Sequence, residues 1–313
     1  MGGRRWMSVR PPDKNAKETG IASERSAPRK KVTIQHLHNL RRAGTPIAMV
    51  TAYDFPTGRA CDAYGADMTL VGDSLAQVCL GYDSTTQLTM DEMLHHCRAV
   101  ARGSKAPFLL ADMPFGSYHA SAEDAVRSAV RLVQEGGVEG VKMEGGEEIV
   151  PAVRRLTSIG IPVMAHVGLL PQRHASLSGY RVQGRDAQSA VSVLRSALAL
   201  EAAGAFSVVL EAVPHLLATH ITNRLSVPTI GIGAGPGTSG QVLVWDDLMA
   251  TWHGHKAKFV RRFADGQAEE RKGVTGFVNA VKERSFPDLA NESYDMDQVE
   301  WERFLEAERD YSV

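Results

Sequence analysis

The sequence is poor in cysteine and has no long apolar run, and these shortages exclude several classes of protein. Three cysteines, Cys61, Cys79 and Cys97, lie far apart in 313 residues. They match neither a disulfide framework nor a zinc site, which favours a reducing compartment. No apolar run approaches the roughly eighteen residues of a transmembrane helix. The formal net charge of −1 gives the surface as a whole no attraction for nucleic acid or for membranes.

Two motifs of nucleotide and ester chemistry are also missing. The chain contains neither G-x-x-x-x-G-K-[ST] nor G-x-S-x-G. The stretch "GIGAGPGTSG" at 231–240 matches G-x-G-x-x-G through Gly235, Gly237 and Gly240, but "QVLVW" follows it where a dinucleotide site needs a helix. We interpret it as a tight loop whose backbone approaches a ligand or a neighbouring segment. A phosphate site at this loop is the alternative.

The two ends of the chain differ from its middle. Residues 1–31 carry nine Lys and Arg against three acids, and "MGGRRWMSVRPP" contains Arg and no acid. This composition is typical of a mitochondrial transit segment or of a disordered tail, so we expect a mitochondrial location, with a cytoplasmic one as the alternative. Residues 286–313 carry nine acids against two Arg. The spacing of "DQVEWERFLEAE" predicts a solvated surface helix in this C-terminal tail.

Between these ends, in residues 32–285, strand and helix patterns alternate. Seven units of an apolar strand followed by a helical segment recur about every thirty residues. The predicted strands are 46–54, 67–73, 107–115, 140–146, 161–169, 206–213 and 228–235, with 241–245 as an uncertain eighth. Continuous apolar strands indicate a parallel sheet that is buried on both faces. Because a closed eight-fold barrel needs about 250 residues, we predict one α/β domain, a (β/α)₈ TIM barrel. An open doubly wound sheet is the alternative.

Ionisable residues stand at the ends of most predicted strands. They are Asp54, Asp73, Asp112, Lys142, Glu144, His166 and Glu211. In a parallel barrel the carboxyl ends of all strands surround one mouth, so we expect these side chains to converge on one pocket. The alternative for any one acid is that it caps a helix or pairs with an arginine.

Asp73, Asp112 and Glu144 supply hard oxygen ligands from consecutive units. Three carboxylates in a small space repel one another, and a divalent cation relieves that repulsion. Mg²⁺ prefers oxygen ligands and keeps several waters, whereas the His and Cys residues lack the spacing of a zinc site. The pattern therefore favours a magnesium site.

Three further residues have roles that the pattern leaves open. Lys142, on the same face of its strand as Glu144, could balance charge, form a Schiff base or bind a substrate carboxylate. We favour binding of an anionic substrate. Glu211 is not required by the metal and is therefore a candidate general base, with a salt bridge as the alternative. His166 could be a base, a hydrogen-bond donor or a packed histidine.

The order and spacing of several segments resemble the ketopantoate hydroxymethyltransferase family. The matching segments are "MVTAYDFPTGRACDAYGADMTLVGDSLA", "TTQLTMDEML", "ADMPFGSY", "VKMEGG", "AHVGLLPQ", "GYRVQGR", "VLEAVP" and "IGIGAGPGTSGQVLVWDD". The resemblance covers roughly residues 32–285. It implies a barrel of the phosphoenolpyruvate/pyruvate type and transfer of a hydroxymethyl group from 5,10-methylenetetrahydrofolate to 3-methyl-2-oxobutanoate, which yields 2-dehydropantoate for pantothenate synthesis. It also implies Mg²⁺, a metal-stabilised enolate and a homo-oligomer, commonly a decamer.

The resemblance also implies roles for individual residues. Asp73 and Asp112 would bind the metal, with Glu144 joining directly or through water. Ser74 and Lys142 would hold the keto acid, and His166 belongs to the active-site strand without an assigned role. Glu211 would accept the proton.

Three positions depart from the family pattern, and two rival functions remain. Leu170, Ser178 and Ser239 stand where the family frequently has threonine, glycine and aspartate, which puts cosubstrate contacts in doubt more than the metal site. The nearer rival is a Mg²⁺-dependent lyase or phosphonomutase, although the three cysteines lack the loop context of such enzymes. The other rival, a non-catalytic scaffold, predicts loss of the acids that are present here.

Overall fold

The structure is a computed structural model that describes residues 29–176 and 179–311. Most of the basic N-terminal segment and Ser178 lie outside the described residues. The expectations about a transit segment and about position 178 therefore stay predictions.

Eight parallel strands close into a barrel, in which each strand pairs with its sequence neighbours and β8 pairs with β1. The strands are β1 Ile47–Thr51, β2 Met68–Val71, β3 Phe108–Asp112, β4 Gly140–Glu144, β5 Val163–Gly168, β6 Ser207–Glu211, β7 Thr229–Ile232 and β8 Gly240–Leu243. The predicted (β/α)₈ architecture is confirmed, and the open sheet is excluded. The predicted eighth strand is shorter than expected, because a helix already begins at Trp245.

Helices follow the strands and are capped as their sequences indicate. They are α1 Ile34–Ala43, α2 Phe55–Ala63, α3 Leu75–Val78, α4 Met90–Gly103, α5 Ala122–Gln134, α6 Val150–Ser158, α7 Ala187–Ala202, α8 His215–Arg224, α9 Trp245–Met249, α10 Gly266–Lys282 and α11 Gln298–Arg309. Thr89 accepts a hydrogen bond from the N–H of Glu92 at the start of α4, and Ser121 accepts one from Asp124 at the start of α5. Both residues are therefore N-caps of their helices. No helix within the described ranges has the length and apolar character needed to cross a bilayer.

The barrel interior is filled with apolar side chains towards the amino ends of the strands. The cluster comprises Val32, Leu37, Ile47, Met49, Met68, Leu70, Phe108, Leu110, Met164, Phe206, Val209, Ile230 and Val242. Leu37 comes from α1, which packs against β1, so α1 helps to close the amino end of the barrel. Because this end is filled, a ligand enters the interior from the carboxyl end.

The two C-terminal helices, α10 and α11, bury none of their residues. On α10 the side chains of Val274, Phe277, Val278 and Val281 are exposed at helical spacing. α11 confirms the predicted exposed helix, although it also exposes Trp301 and Phe304. These helices present an apolar surface that the barrel of the same chain does not cover.

The glycine-rich loop between β7 and β8 is a tight connection whose backbone approaches neighbouring segments closely. A Cβ atom on Gly237 would lie 2.0 Å from Oγ1 of Thr219 on α8. The predicted close approach to a neighbouring segment is thus confirmed. At the end of the loop, a Cβ atom on Gly240 would lie 2.3 Å from the carbonyl oxygen of Ile47, at the seam where β8 meets β1.

We expect Gly240→Ala to destabilise the protein, because the added methyl group would force β8 away from β1 and open the seam. Overpacking of this kind costs about 1–3 kcal/mol. The matched control is Gly276→Ala on exposed α10, where a Cβ atom meets nothing within 4 Å and helix propensity predicts a gain of roughly 0.5–1 kcal/mol. Thermal denaturation of both variants measures the difference. A Gly240→Ala protein with the same melting temperature as the wild type would contradict the packing argument.

Candidate active site

The ionisable residues at the strand ends lie on the interior side of the barrel because side chains alternate along a strand. On three strands such a residue comes two positions after a side chain of the apolar interior. The pairs are Leu110 with Asp112, Met164 with His166, and Val209 with Glu211. The polar side chains therefore form a layer directly above the apolar side chains of the barrel interior. For this reason, successive apolar strands end on charged residues.

Strand register brings these residues together. Asp112 is the partner of Lys142 across β3 and β4, and Glu144 is the partner of His166 across β4 and β5. Six of the seven ionisable residues predicted at strand ends line one cavity of about 390 Å³ at the carboxyl mouth. They are Asp73, Asp112, Lys142, Glu144, His166 and Glu211, and Ser74 lines the same cavity. The predicted convergence is confirmed for these six ionisable residues.

Asp54 is the exception, because the prediction that its side chain lies in this cavity is wrong. Its side chain is exposed and accepts a hydrogen bond of 2.8 Å from the N–H of Thr57, as the N-cap of α2. Thr57 in turn accepts one from the N–H of Asp54, which completes a capping box. The helix-capping alternative holds for this one acid.

Lys142 is the cation at the centre of the buried cluster. Its Nζ lies 2.9 Å from Oδ1 of Asp112 and 3.8 Å from Oε1 of Glu144. Burial alone would lower the pKa of the ammonium group, but Asp112, Glu144 and Asp73 outweigh burial and raise it. Lys142 is therefore charged. A charged amine is a poor nucleophile, which favours charge balance and anion binding over Schiff-base chemistry.

Asp73 and Asp112 face each other across the mouth of β2 and β3. The backbone N–H of Asp73 donates to Oδ2 of Asp112 at 2.9 Å. Burial, together with the negative charges of Asp112 and Glu144, raises the pKa of Asp73 well above its ordinary value. The protein thus crowds its carboxylates beyond what one lysine neutralises, which is the electrostatic condition that a bound cation relieves.

The donor set fits a hard divalent cation. Oδ1 of Asp112 and Oε1 of Glu144 are buried and have no hydrogen-bond donor, although both are near Lys142. In the described part of the chain, no three His, Cys, Asp or Glu side chains form a preassembled metal-binding group. Mg²⁺ does not need one, since it commonly takes one or two carboxylates and completes its shell with water and substrate.

His166 links the cluster to Glu211. Its Nδ1 lies 3.1 Å from Nζ of Lys142, and its Nε2 lies 3.3 Å from Oε2 of Glu211. Burial and Lys142 lower the pKa of His166, but Glu144 and Glu211 outweigh them and raise it to about 9. The ring therefore lies between the Lys142 ammonium group and the Glu211 carboxylate.

Gln172 is a site residue that the sequence analysis missed. Its Nε2 donates to Oδ2 of Asp73 at 2.9 Å and to the carbonyl of Met113 at 3.0 Å. Its backbone N–H donates to Oε2 of Glu144 at 3.0 Å, and its Oε1 accepts from the Tyr118 hydroxyl at 2.7 Å. It therefore fixes two of the three predicted metal carboxylates. The signal was present, because Gln172 and Tyr118 end the motifs "AHVGLLPQ" and "ADMPFGSY".

Ser74 is held by a second hydrogen-bonded chain. Its hydroxyl lies 2.8 Å from the hydroxyl of Tyr53, which accepts from Oγ1 of Thr51 at 2.8 Å. Thr51 also accepts from the N–H of Trp245 at 2.8 Å, so the chain ties β1 to α9. Ser74 remains at the cavity wall as a small polar group in a fixed position.

The outer part of the cavity is aromatic and comes from loops. Tyr180, Trp252 and Phe259 line it, and Phe259 is 39% exposed whereas Glu144 is 1% exposed. None of these three was singled out in the sequence, since loop residues carry no periodic signal. The cavity thus has a buried polar floor and an exposed aromatic rim.

The three cysteines and two of the family departures, Leu170 and Ser239, lie away from the charged floor. No cysteine lines the cavity, and burial raises the pKa of the Cys61 thiol to about 11. Leu170 is buried, and Ser239 bonds to the backbone and side chain of Thr229 between β7 and β8. Neither departure touches the carboxylate cluster.

Solved structures with the same barrel fold include a member of the PEP mutase/isocitrate lyase superfamily. The phosphoenolpyruvate phosphomutase from Streptomyces platensis subsp. rosaceus superposes with a TM-score of 0.54 at 16% identity, covering 89% of this chain and 99% of that one. A 2,3-dimethylmalate lyase of the same superfamily gives 0.51 at 15% identity, over 89% and 99%. At such low identity these likenesses establish the fold alone.

The sequence comparison is more specific. The ketopantoate hydroxymethyltransferase profile matches residues 31–289. The 3-methyl-2-oxobutanoate hydroxymethyltransferase of Emericella nidulans is 49% identical over 276 residues, which cover 88% of this chain and 79% of that protein. Its counterpart in Deinococcus radiodurans is 50% identical over 261 residues, 83% and 92% of the two chains. The chain therefore belongs to the ketopantoate hydroxymethyltransferase family.

We expect Gln172→Leu to destabilise the protein by about 1–3 kcal/mol, because it leaves the Asp73 carboxylate and the Tyr118 hydroxyl buried without their partner. The matched control is Gln188→Leu on the exposed side of α7, for which a change within about 0.5 kcal/mol is expected. Thermal denaturation compares the two variants. Equal melting temperatures would show that Gln172 does not hold the site.

Proposed function

We propose that this protein transfers a hydroxymethyl group from 5,10-methylenetetrahydrofolate to 3-methyl-2-oxobutanoate and releases 2-dehydropantoate and tetrahydrofolate. The observation that carries the proposal is the buried cluster of Asp73, Asp112, Lys142 and Glu144, with Glu211 beside it, in one cavity. The names of the relatives support the transfer, and the polar floor below an aromatic rim suits a small anionic substrate and a large flat cosubstrate.

Asp73 and Asp112 would hold Mg²⁺, with Glu144 joining directly or through water. The crowding that raises the pKa of Asp73, and the two carboxylate oxygens without donors, support this assignment. When bound, the ion would polarise the keto group of the substrate and stabilise the negative charge that develops there. Gln172 and the N–H of Asp73 keep the carboxylates in place, so little reorganisation accompanies the reaction.

Lys142 and Ser74 would bind the substrate at its carboxylate end. Lys142 carries a positive charge in a site that is otherwise acidic, so it supplies the attraction for an anion. The Ser74 hydroxyl is fixed by Tyr53 and can donate one hydrogen bond. Together they would leave C3 of the keto acid facing the opposite wall, which Glu211 forms.

Glu211 would act as the general base. It accepts the proton from C3, and the resulting enolate forms a carbon–carbon bond with the methylene carbon of the folate as the bond from that carbon to one folate nitrogen breaks. Water then supplies the hydroxyl group as the bond to the second folate nitrogen breaks. The two nitrogens take up the proton removed from C3 and the remaining proton of the water. His166 supports this role, because its Nε2 lies 3.3 Å from Oε2 of Glu211 and places a polar ring beside the carboxylate.

The proposal also includes assembly of identical chains. The support is the row of exposed apolar side chains on α10, which one copy of the chain leaves uncovered. Rows of this kind are uncommon on isolated globular proteins and usually form interfaces.

We expect the purified protein to convert 3-methyl-2-oxobutanoate only when both methylenetetrahydrofolate and Mg²⁺ are present. Mass spectrometry of the product measures this, with chelator and folate-free reactions as controls. Turnover without folate would instead support a lyase related to the structural neighbours. Turnover that continues after a chelator has removed all Mg²⁺ would show that the reaction does not need the metal.

We expect Glu211→Gln to lower kcat by roughly 10²–10⁴-fold, the usual contribution of a general base, while Mg²⁺ binding stays nearly unchanged.

Asp112→Ala should weaken Mg²⁺ and keto-acid binding together, since it removes a ligand and leaves Lys142 with less compensating charge. Steady-state kinetics and isothermal titration calorimetry measure the two effects, with Glu123→Gln on the exposed side of α5 as the matched control. A Glu211→Gln enzyme of normal rate would remove Glu211 from the role of base.

A further inference from the structure

The segment between α9 and α10, residues 250–265, contains a concentrated positive charge. We call residues 252–262 the basic loop. It carries Lys256, Lys258, Arg261 and Arg262 with two histidines and no acid. In a chain whose net charge is −1, this is a marked local excess. Neither the metal site nor the proton transfer uses it.

The basic loop lies at the mouth of the active-site cavity. Trp252, His255, Ala257 and Phe259 line the same cavity as the carboxylate cluster. The Phe259 ring packs on Gly233 in the β7–β8 loop, since a Cβ atom there would lie 2.7 Å from Cδ1 of the ring. Lys256 and Lys258 alternate with these lining residues and are exposed. The cations thus stand directly outside the aromatic rim.

Both ends of the basic loop are anchored. Gln267 of α10 donates from Nε2 to the carbonyl of Trp252 at 2.6 Å, and the N–H of Phe263 donates to the carbonyl of Leu248 at 2.9 Å. These bonds hold the loop ends against α9 and α10. The positive charge is therefore kept beside the entrance.

Three cations of the basic loop have no carboxylate partner among the residues that the structure describes, although the Arg261 guanidinium lies 5.9 Å from the centroid of the Phe263 ring. Within the described ranges, Lys256, Lys258 and Arg261 form no ion pair with a carboxylate within 4.0 Å, whereas Arg131 and Arg195 on the outer helices do. Arg262 differs, because it lowers the pKa of Asp247, which burial and Asp246 raise. Three exposed cations are thus free to meet a negative ligand.

We propose that the basic loop binds the γ-linked glutamate tail of the folate cosubstrate, so that the enzyme prefers polyglutamylated folate. This inference rests on the proposed function. The reacting methylene group must reach Glu211 inside the cavity, and the amino end of the barrel is filled with apolar side chains. The tail therefore leaves through the carboxyl mouth, where each added glutamate places another carboxylate near the exposed cations.

The experiment compares methylenetetrahydrofolate with one and with five glutamates. In the wild type we expect the KM of the pentaglutamate to be about tenfold lower, because each exposed ion pair changes affinity by a factor of a few. In the combined variant Lys256→Gln, Lys258→Gln, Arg261→Gln, this difference should shrink to less than about twofold. The kcat and the KM of the keto acid should stay at their wild-type values. Added salt of about 0.5 M should have the same effect in the wild type, since it screens exposed charges.

The matched control is the combined variant Arg102→Gln, Arg154→Gln, Arg155→Gln, which removes three exposed cations of α4 and α6 that do not line the cavity. It should keep the wild-type preference. A single charge reversal, Lys258→Glu, should raise the KM of the pentaglutamate and leave that of the monoglutamate within about twofold. This variant tests the inference even where the triple variant fails to fold.

The outcomes separate this inference from the proposed function. If the wild type uses both folates with equal KM, the tail-binding inference is wrong and the hydroxymethyl transfer stands. If neither folate supports product formation, the proposed function fails and the inference fails with it. If the basic-loop variant loses kcat with the monoglutamate as well, the loop shapes the cavity and does not recognise the tail.

Discussion

The structure of this site depends on the placement of one buried ammonium group among three buried carboxylates. Moving any of these ions from water into the protein costs several kcal/mol, and mutual attraction offsets that cost only when the geometry is good. Here the geometry comes from strand register, which makes Lys142 the direct neighbour of Asp112 and places Glu144 two residues further on the same strand. A slip of one residue would turn Lys142 out of the barrel and leave the acids unpaired.

The compensation is nevertheless incomplete. Lys142 is one cation against Asp73, Asp112 and Glu144, and two buried carboxylate oxygens have no donor. A fold selected for stability alone would replace such a group with apolar side chains at little loss. The remaining excess of negative charge is therefore better explained by a ligand that supplies positive charge. Gln172, Tyr118 and the N–H of Asp73 hold the acids in this unfavourable arrangement, which is why they belong to the site although they are neutral.

The parts of this architecture that follow from periodicity could be predicted from the sequence. Apolar strands, their spacing and the ionisable residues at their ends predicted the barrel, the cavity and six of its lining residues, and the family resemblance added Ser74. The error at Asp54 has a local cause, because Thr57 completes a capping box three residues later and this short-range pattern outweighs position at a strand end. Gln172 was missed for the opposite reason. Its partners Asp73, Met113 and Glu144 are far away along the chain. The motif "AHVGLLPQ" marks its segment but does not indicate which groups Gln172 contacts.

The aromatic rim and the basic loop could not be predicted for a further reason, since both lie in connections whose path only the folded barrel defines. The barrel, in contrast, is common to this chain and its structural neighbours. Superposition at 14–16% identity joins it to a phosphonopyruvate hydrolase and a phosphomutase, and folds shared at that level do not carry a reaction with them. A layer of buried carboxylates at the mouth of a closed barrel can bind many small acids together with a metal ion. A layer of this kind that opens through aromatic side chains to unpaired cations suits a second, larger and more negative substrate, and this combination favours group transfer between two molecules over cleavage of one.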